Sequence, residues 1–255
     1  LYFYLGGDSY LKLRWRNFTP DLTIVKGIFA IGLSQLFMTI ANFIAGLALV
    51  RMVNAYGGDI ALSAFGIAQR IITFASMPSI VLGQAMQPIL GFNYGAKRFR
   101  QALKSIKLAS TVSTVIGVAA FLILVIFPGP IIRIFTSDPE LIVVTAATSR
   151  LMFLGLPLYS FFNVGQLVFP SVGKAMPTLI ISVVRPLLFM TPIALILPRF
   201  IGINGVWLSF PGSDVLGTVL AVAFLIPLIL KFRKAAAGET AVKINLAENP
   251  EPIGH

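Results

Sequence analysis

The sequence has no cysteine, and its one histidine, His255, is the last residue of 255. No disulfide or thiolate metal site can form, and no internal imidazole is available as a base or metal ligand. Acid is scarce as well, with nine Asp and Glu against twenty Lys and Arg. Charged residues of both signs make up 11% of the chain and apolar residues 57%, with a mean hydropathy of +0.90. That leaves too little polar surface to cover a water-soluble globule of this size, so the chain reads as an all-α integral membrane protein. A net charge of +11 would suggest nucleic acid in a soluble protein. Here the basic residues punctuate apolar runs instead of gathering on one face, so no nucleic-acid partner is expected.

Missing motifs narrow the function further. There is no GxxxxGK[ST] phosphate loop and no HExxH, and one deep carboxylate is too few for an aspartyl protease. The chain is expected not to be an enzyme and to hold no metal or bound cofactor. Leu1 follows no Met or charged n-region, and Leu1 to Leu5 reads like the end of a preceding span.

What is present is organised around Gln84 to Lys107, where an apolar run of spanning length ends and positive charge begins. Pro88 lacks an N–H and predicts a bent or opened helix. Gly91 and Gly95 form a GxxxG suited to close helix approach. Lys97, Arg98, Arg100, Lys104 and Lys107 alternate with Phe99, Ala102, Leu103 and Ile106, which predicts a basic amphipathic segment along a membrane surface.

Six spans follow from the apolar runs: 27–53, 62–92, 109–132, 150–172, 178–197 and 205–230. Residues 1–26 read as a cytoplasmic connector, 27–234 as a six-transmembrane-helix bundle and 235–255 as a disordered cytoplasmic tail. Tyr56-Gly57-Gly58-Asp59 and 198–204 mark turns, and Ser137 or Asp138 caps a helix with Pro139 in its first turn. One side of the membrane receives Lys12, Arg14, Arg16, Lys26, the five basic residues from Lys97 to Lys107, Lys174, Lys231, Arg233, Lys234 and Lys243. The other receives Arg51, Arg133 and Arg199, so the positive-inside rule puts both termini in the cytoplasm.

The run Gln87-Pro88-Ile89-Leu90-Gly91-Phe92-Asn93-Tyr94-Gly95-Ala96 resembles a signature of multidrug and toxic compound extrusion (MATE) transporters, at the end of the second span of their C-terminal half. Phe135-Thr136-Ser137-Asp138-Pro139-Glu140 and Gly205-Val206-Trp207-Leu208-Ser209-Phe210-Pro211, the latter followed by Ser213-Asp214, resemble the same family in the same order. The resemblance implies one lobe of a twelve-helix MATE-like transporter of the plasma (inner) membrane, partnered by an N-terminal six-helix half. It implies a secondary-active exporter that uses H+ or Na+ to expel small amphipathic, often cationic compounds by alternating access. The alternative is a lipid-linked saccharide flippase or related carrier of the same superfamily, for which Arg70 is the residue of interest. Some members carry a coupling Glu in the first span of this half, where an ungapped reading puts Asn42, which has no proton to exchange.

Polar residues inside spans must face protein or water. Gln35, Thr39 and Asn42 share a face of span one; Gln69, Arg70, Thr73, Gln84 and Gln87 form a stripe on span two; Tyr159, Asn163 and Gln166 lie on span four. These stripes either join helices or line a substrate cavity. Asp214 is the carboxylate deep in a span, and Arg185 is expected at a similar depth on span five, given a rise of about 1.5 Å per residue. They predict a buried ion pair, acting either as a structural clamp or in ion coupling.

Overall fold

The computed structural model describes residues 22–248. Among them the chain is helical throughout, with no strand. The helices are α1 (Leu22–Gly95), α2 (Phe99–Ile126), α3 (Pro128–Ile132), α4 (Pro139–Met152), α5 (Leu156–Ser171), α6 (Ala175–Val184), α7 (Thr191–Ile196), α8 (Pro198–Ile201) and α9 (Ile203–Glu248). A 3-10 turn at Phe153–Gly155 joins α4 to α5, and a π turn at Arg185–Met190 joins α6 to α7.

The 74-residue α1 is two spans. Asn42 and Ile80 would stand about 57 Å apart on a straight helix, yet they line one cavity. The reversal is at Gly58, whose φ of 65° and ψ of −162° belong to a region only glycine occupies freely. Gly202 adopts nearly the same state, φ 61° and ψ −146°, to turn α8 into α9. The two turns touch: a Cβ on Gly57 would lie 3.1 Å from Ile203 Cδ1. Among the described residues five stretches are long and apolar enough to cross a bilayer, 35–95, α2, 139–171, 175–201 and 203–238, and the first, folded at Gly58, supplies two arms, so the bundle has six. Large apolar side chains such as Phe43, Phe74, Val115, Ile123 and Val219 point out of the bundle, as lipid requires and water would not tolerate.

Two apolar clusters stack along the bundle. One gathers Leu49, Val53, Phe65, Phe153, Trp207 and Phe210, with Phe65 stacked on Trp207 at 6.0 Å. The other gathers Met86, Leu90, Phe162, Phe169, Leu225 and Phe232. Since lipid tails are as apolar as these residues, close packing and hydrogen bonds supply the cohesion. The α2–α5 seam shows both. Gly117 leaves so little room that a Cβ would lie 3.2 Å from the Leu156 carbonyl, and Ser113 Oγ donates to the Ser160 carbonyl at 2.9 Å.

Helix ends follow local chemistry. Asp138, one of the two residues expected to cap α4, accepts from the Glu140 amide at 2.9 Å, with Pro139 next in the helix. The Gln87–Gly95 run closes the second arm of α1. Arg98 N–H bonds the Asn93 carbonyl at 2.8 Å and Lys97 N–H that of Tyr94 at 3.1 Å, with Lys97 at φ 57° where such a stop usually takes glycine.

Four expectations are corrected. Pro88 does not open its helix; the dihedrals stay helical through it because Met86 and Leu90 are locked in the second cluster on either side. Gly91 does permit close approach, a Cβ lying 3.1 Å from the Ser171 carbonyl, but Gly95 has nothing within 4 Å. The basic segment from Lys97 is no separate surface helix: Phe99 onward is the start of α2, and Ala102 and Ile106 are buried in the bundle. Residues 235–248, expected to be disordered, continue α9 as helix. Ala235, Ala236 and Ala237 have the best helix propensity and prolong a helix already nucleated by a span. Of the connector, residues 22–26 already belong to α1; residues 1–21 and 249–255 lie outside the described residues.

Candidate functional site

The polar residues meet where the two apolar clusters part. On each crossing helix the chain leaves one cluster and enters the other through a polar position: Thr73 and Ser76 between Ile71 and Met86, Tyr159 between Leu156 and Phe162, Arg185 between Ile181 and Met190, Asp214 between Phe210 and Ala221. The result is a cleft of two chambers. One, of ≈ 290 Å³, is lined by Asn42, Gln69, Ile72, Thr73, Ser76, Ile80, Tyr159, Arg185, Met190, Phe210 and Asp214. The other, also ≈ 290 Å³, shares Asn42, Ile80, Tyr159 and Arg185 and adds Gln35, Gln84, Phe162, Asn163, Gln166 and Ser182.

Arg185 and Asp214 form the ion pair expected of them. Both Nε, at 3.2 Å, and Nη2 of Arg185 donate to Asp214 Oδ1. The guanidinium also stands over the rings of Tyr159 at 4.8 Å and Phe162 at 5.4 Å, an arrangement that stabilises a desolvated cation. Asp214 is 2% exposed. The backbone is shaped for this pair. Arg185 opens the π turn, where Pro186 has no N–H to give and Thr191 Oγ1 donates to the Pro186 carbonyl at 2.8 Å; such turns re-aim a side chain and recur at functional sites. A Cβ on Gly217 would lie 2.9 Å from Arg185 Cδ, and one on Gly155 would overlap the Asp214 carboxylate. Both positions are open because the pair fills them.

Elsewhere in the cleft, four side chains each donate a proton to a carbonyl of their own helix. Thr73 Oγ1 donates to the Gln69 carbonyl at 2.7 Å, Ser76 Oγ to that of Ile72, Asn42 Nδ2 to that of Met38 at 2.8 Å and Asn163 Nδ2 to that of Tyr159 at 2.9 Å. Gln166 Nε2 is held by Asn163 Oδ1 at 3.3 Å. Asn42 Oδ1 and the Thr73 and Ser76 lone pairs remain as acceptors for the cavity, beside the Gln35, Gln69 and Gln84 amides, which both donate and accept.

Of the residues expected to line a cavity, Gln35, Asn42, Gln69, Thr73, Gln84, Tyr159, Asn163 and Gln166 do so. Thr39 and Arg70 lie outside both chambers: Thr39 is exposed with its hydroxyl on the Gln35 carbonyl, and Arg70 is exposed about 100° around the helix from Gln69. Gln87, Asn93 and Tyr94 serve the end of α1's second arm, Asn93 donating to the Ile89 carbonyl at 2.8 Å and Tyr94 packing on Phe232 at 5.5 Å. Ser76, Phe162, Ser182, Met190 and Phe210, with the two glycines, join the site without having been singled out. Ser76 follows Thr73 by three positions and extends its stripe, and Gly217 follows Asp214 by three; the apolar members carry no sequence signal.

Comparison with known proteins agrees with this architecture. The MatE family model matches residues 31–196. The probable multidrug resistance protein YoeA of Bacillus subtilis (strain 168) is 21% identical over 82% of this chain and 45% of its own. For the probable multidrug resistance protein NorM of Thermotoga maritima the figures are 24%, 84% and 47%. A crystal structure of MATE in the bent conformation superposes with a TM-score of 0.85 at 20% identity, covering 92% of this chain and 52% of that one. An outward-facing multidrug resistance MATE transporter of the MOP superfamily gives 0.83 at 20% identity, over 91% and 52%. The chain spans about half the length of the curated relatives it matches. With the motif, six-span bundle and family match in agreement over most of its residues, the chain belongs to the MatE family.

Proposed function

We propose that this chain forms the C-terminal lobe of a secondary-active exporter in the plasma (inner) membrane, coupled to H+ or Na+, that expels amphipathic cations by alternating access. The observation that carries the reading is a cleft with no uncommitted charge: its Arg185 is paired with Asp214, and neutral amides, hydroxyls and aromatic faces make up the rest of its polar lining. That lining suits a ligand with an apolar body and a cationic group that aromatic faces and neutral acceptors can hold. Alternating access requires a second bundle rocking against this one around a shared site, which fits relatives about twice as long. Asp214 is the acidic group at the cleft through which ion coupling could act in this lobe. A lipid-linked saccharide flippase would need uncommitted cations in the cleft for its pyrophosphate. Arg70 lies outside it, which supports the exporter over that alternative.

The test is gradient-driven efflux of a cationic dye by the full gene product in proteoliposomes. Asn42→Leu with Thr73→Val removes two acceptors at constant charge. The loss of two hydrogen bonds of about 1 kcal/mol each should weaken apparent dye affinity roughly tenfold or more. Absence of gradient-dependent efflux from the unaltered protein, with transport of a pyrophosphate-linked lipid instead, would replace the reading.

A further inference from the structure

A second concavity lies away from the cleft and shares no lining residue with it. It is a groove of ≈ 410 Å³ formed by α2, α5 and α9, its floor made by Leu103, Phe161, Leu225 and Ile229. Leu225, Ile229 and Arg233 recur at intervals of four along α9, so they form one row that ends in a cation. On α2, which runs the opposite way, Lys107 stands one turn before Ser110 and Thr111. Because Phe99 packs on Phe232 and Ser113 bonds Ser160, Arg233 stands at one end of the groove, Leu103 and Ile229 come next, Lys107 is level with Leu225, and Ser110, Thr111 and Phe161 lie furthest in. Arg233 and Lys107 are exposed, and among the described residues the one salt bridge is Arg185–Asp214, so neither pairs with a described acid. Asp59, Asp138 and Glu140 gather around a pocket at the far end of the bundle and cannot offset them.

We propose that this groove holds one anionic phospholipid of the adjacent leaflet. Its phosphate is held between Arg233 and Lys107, and an acyl chain runs on past Leu225 to Thr111 and Phe161. The charge sequence fits that occupant. Two cations along one groove between membrane helices attract an anionic headgroup, and the guanidinium offers paired donors to phosphate oxygens. A zwitterionic lipid brings its own ammonium into the same positive field and gains less. The apolar floor continues the path of a lipid chain, which a water-soluble phosphate would leave uncovered.

The experiment uses the purified protein in a neutral detergent, titrated with phosphatidylglycerol or phosphatidylcholine, with thermal unfolding and native mass spectrometry as readouts. Phosphatidylglycerol is expected to raise the unfolding temperature more than phosphatidylcholine and to be retained as a one-to-one adduct. Lys107→Gln with Arg233→Gln should abolish that difference, and Lys107→Arg should keep it. Thr111→Trp, which fills the groove without changing charge, should abolish it too. Arg98→Gln with Arg100→Gln removes the same charge outside the groove and should leave the preference intact. Equal loss in the Arg98/Arg100 variant would mean diffuse attraction to a basic surface and would overturn the proposal. So would a preference surviving Thr111→Trp, or none in the unaltered protein.

Discussion

At the scale of single residues the Arg185–Asp214 pair dominates, because a charge near the bilayer centre costs about 2.5 to 3.5 kcal/mol on the insertion scale when unaided. Each partner makes the other tolerable. Removing one leaves the other buried between Tyr159, Phe162 and the aromatic cluster, a change that typically costs about 3 to 5 kcal/mol. Asp214→Asn and Arg185→Gln are therefore each expected to lower the unfolding temperature by many degrees. The exchange Arg185→Asp with Asp214→Arg should recover only part of it, since Gly155 fits against a carboxylate and Gly217 against an arginine stem. If Asp214 carries a coupling ion, Asp214→Asn will also abolish the response of efflux to the gradient under conditions where the folded fraction is matched. Two single variants equal to the parent in stability and efflux would leave the pair with neither role. Its partners were legible in the sequence, because a charge inside an apolar run must be answered. The glycines that accommodate them were not, since Gly155 and Gly217 acquire meaning only when α9 meets the π turn and the start of α5.

At the scale of elements, turns were easier to read than the course of helices. Gly57-Gly58 between two apolar runs announces a reversal, and the structure reverses there through the backbone state of Gly58 alone. Pro88 was harder: a proline inside a helix removes one hydrogen bond, and neighbours already packed on both sides hold the dihedrals helical regardless. Gly58 and Gly66 make a clean comparison, since a Cβ on either would meet nothing within 4 Å. Only backbone conformation separates them. Gly58→Ala is expected to destabilise by about 1 to 3 kcal/mol, because alanine cannot relax at that φ and ψ. Gly66→Ala, in regular helix, should be neutral or stabilising by up to about 1 kcal/mol. Chemical unfolding of the two variants side by side checks this. A Gly58→Ala variant as stable as the parent would mean that the hairpin turns by another route.

At the scale of the whole molecule, basic residues are weighted toward one end. Asp59, Asp138 and Glu140 surround one pocket of ≈ 150 Å³ where the Gly58 turn meets the start of α4. At the opposite end the aromatic contacts of Tyr94, Phe99 and Phe232, at 5.5 to 6.3 Å, sit among the basic residues of α2 and α9. Because translocation across a membrane discriminates against Lys and Arg in short loops far more than it responds to acids, the basic end is expected to be cytoplasmic. These 255 residues hold no cysteine, so the lobe itself adds no background to thiol labelling. Gln101 and Ser137 are both exposed and uncharged, one at each end, so cysteine there disturbs neither packing nor the charge pattern that sets orientation. In intact cells an impermeant thiol reagent should label Ser137→Cys and spare Gln101→Cys, and permeabilisation should equalise the two. The reverse pattern would invert the bundle. It would then place the groove of Lys107 and Arg233 in the outer leaflet and the pocket of Asp59, Asp138 and Glu140 at the cytoplasmic face.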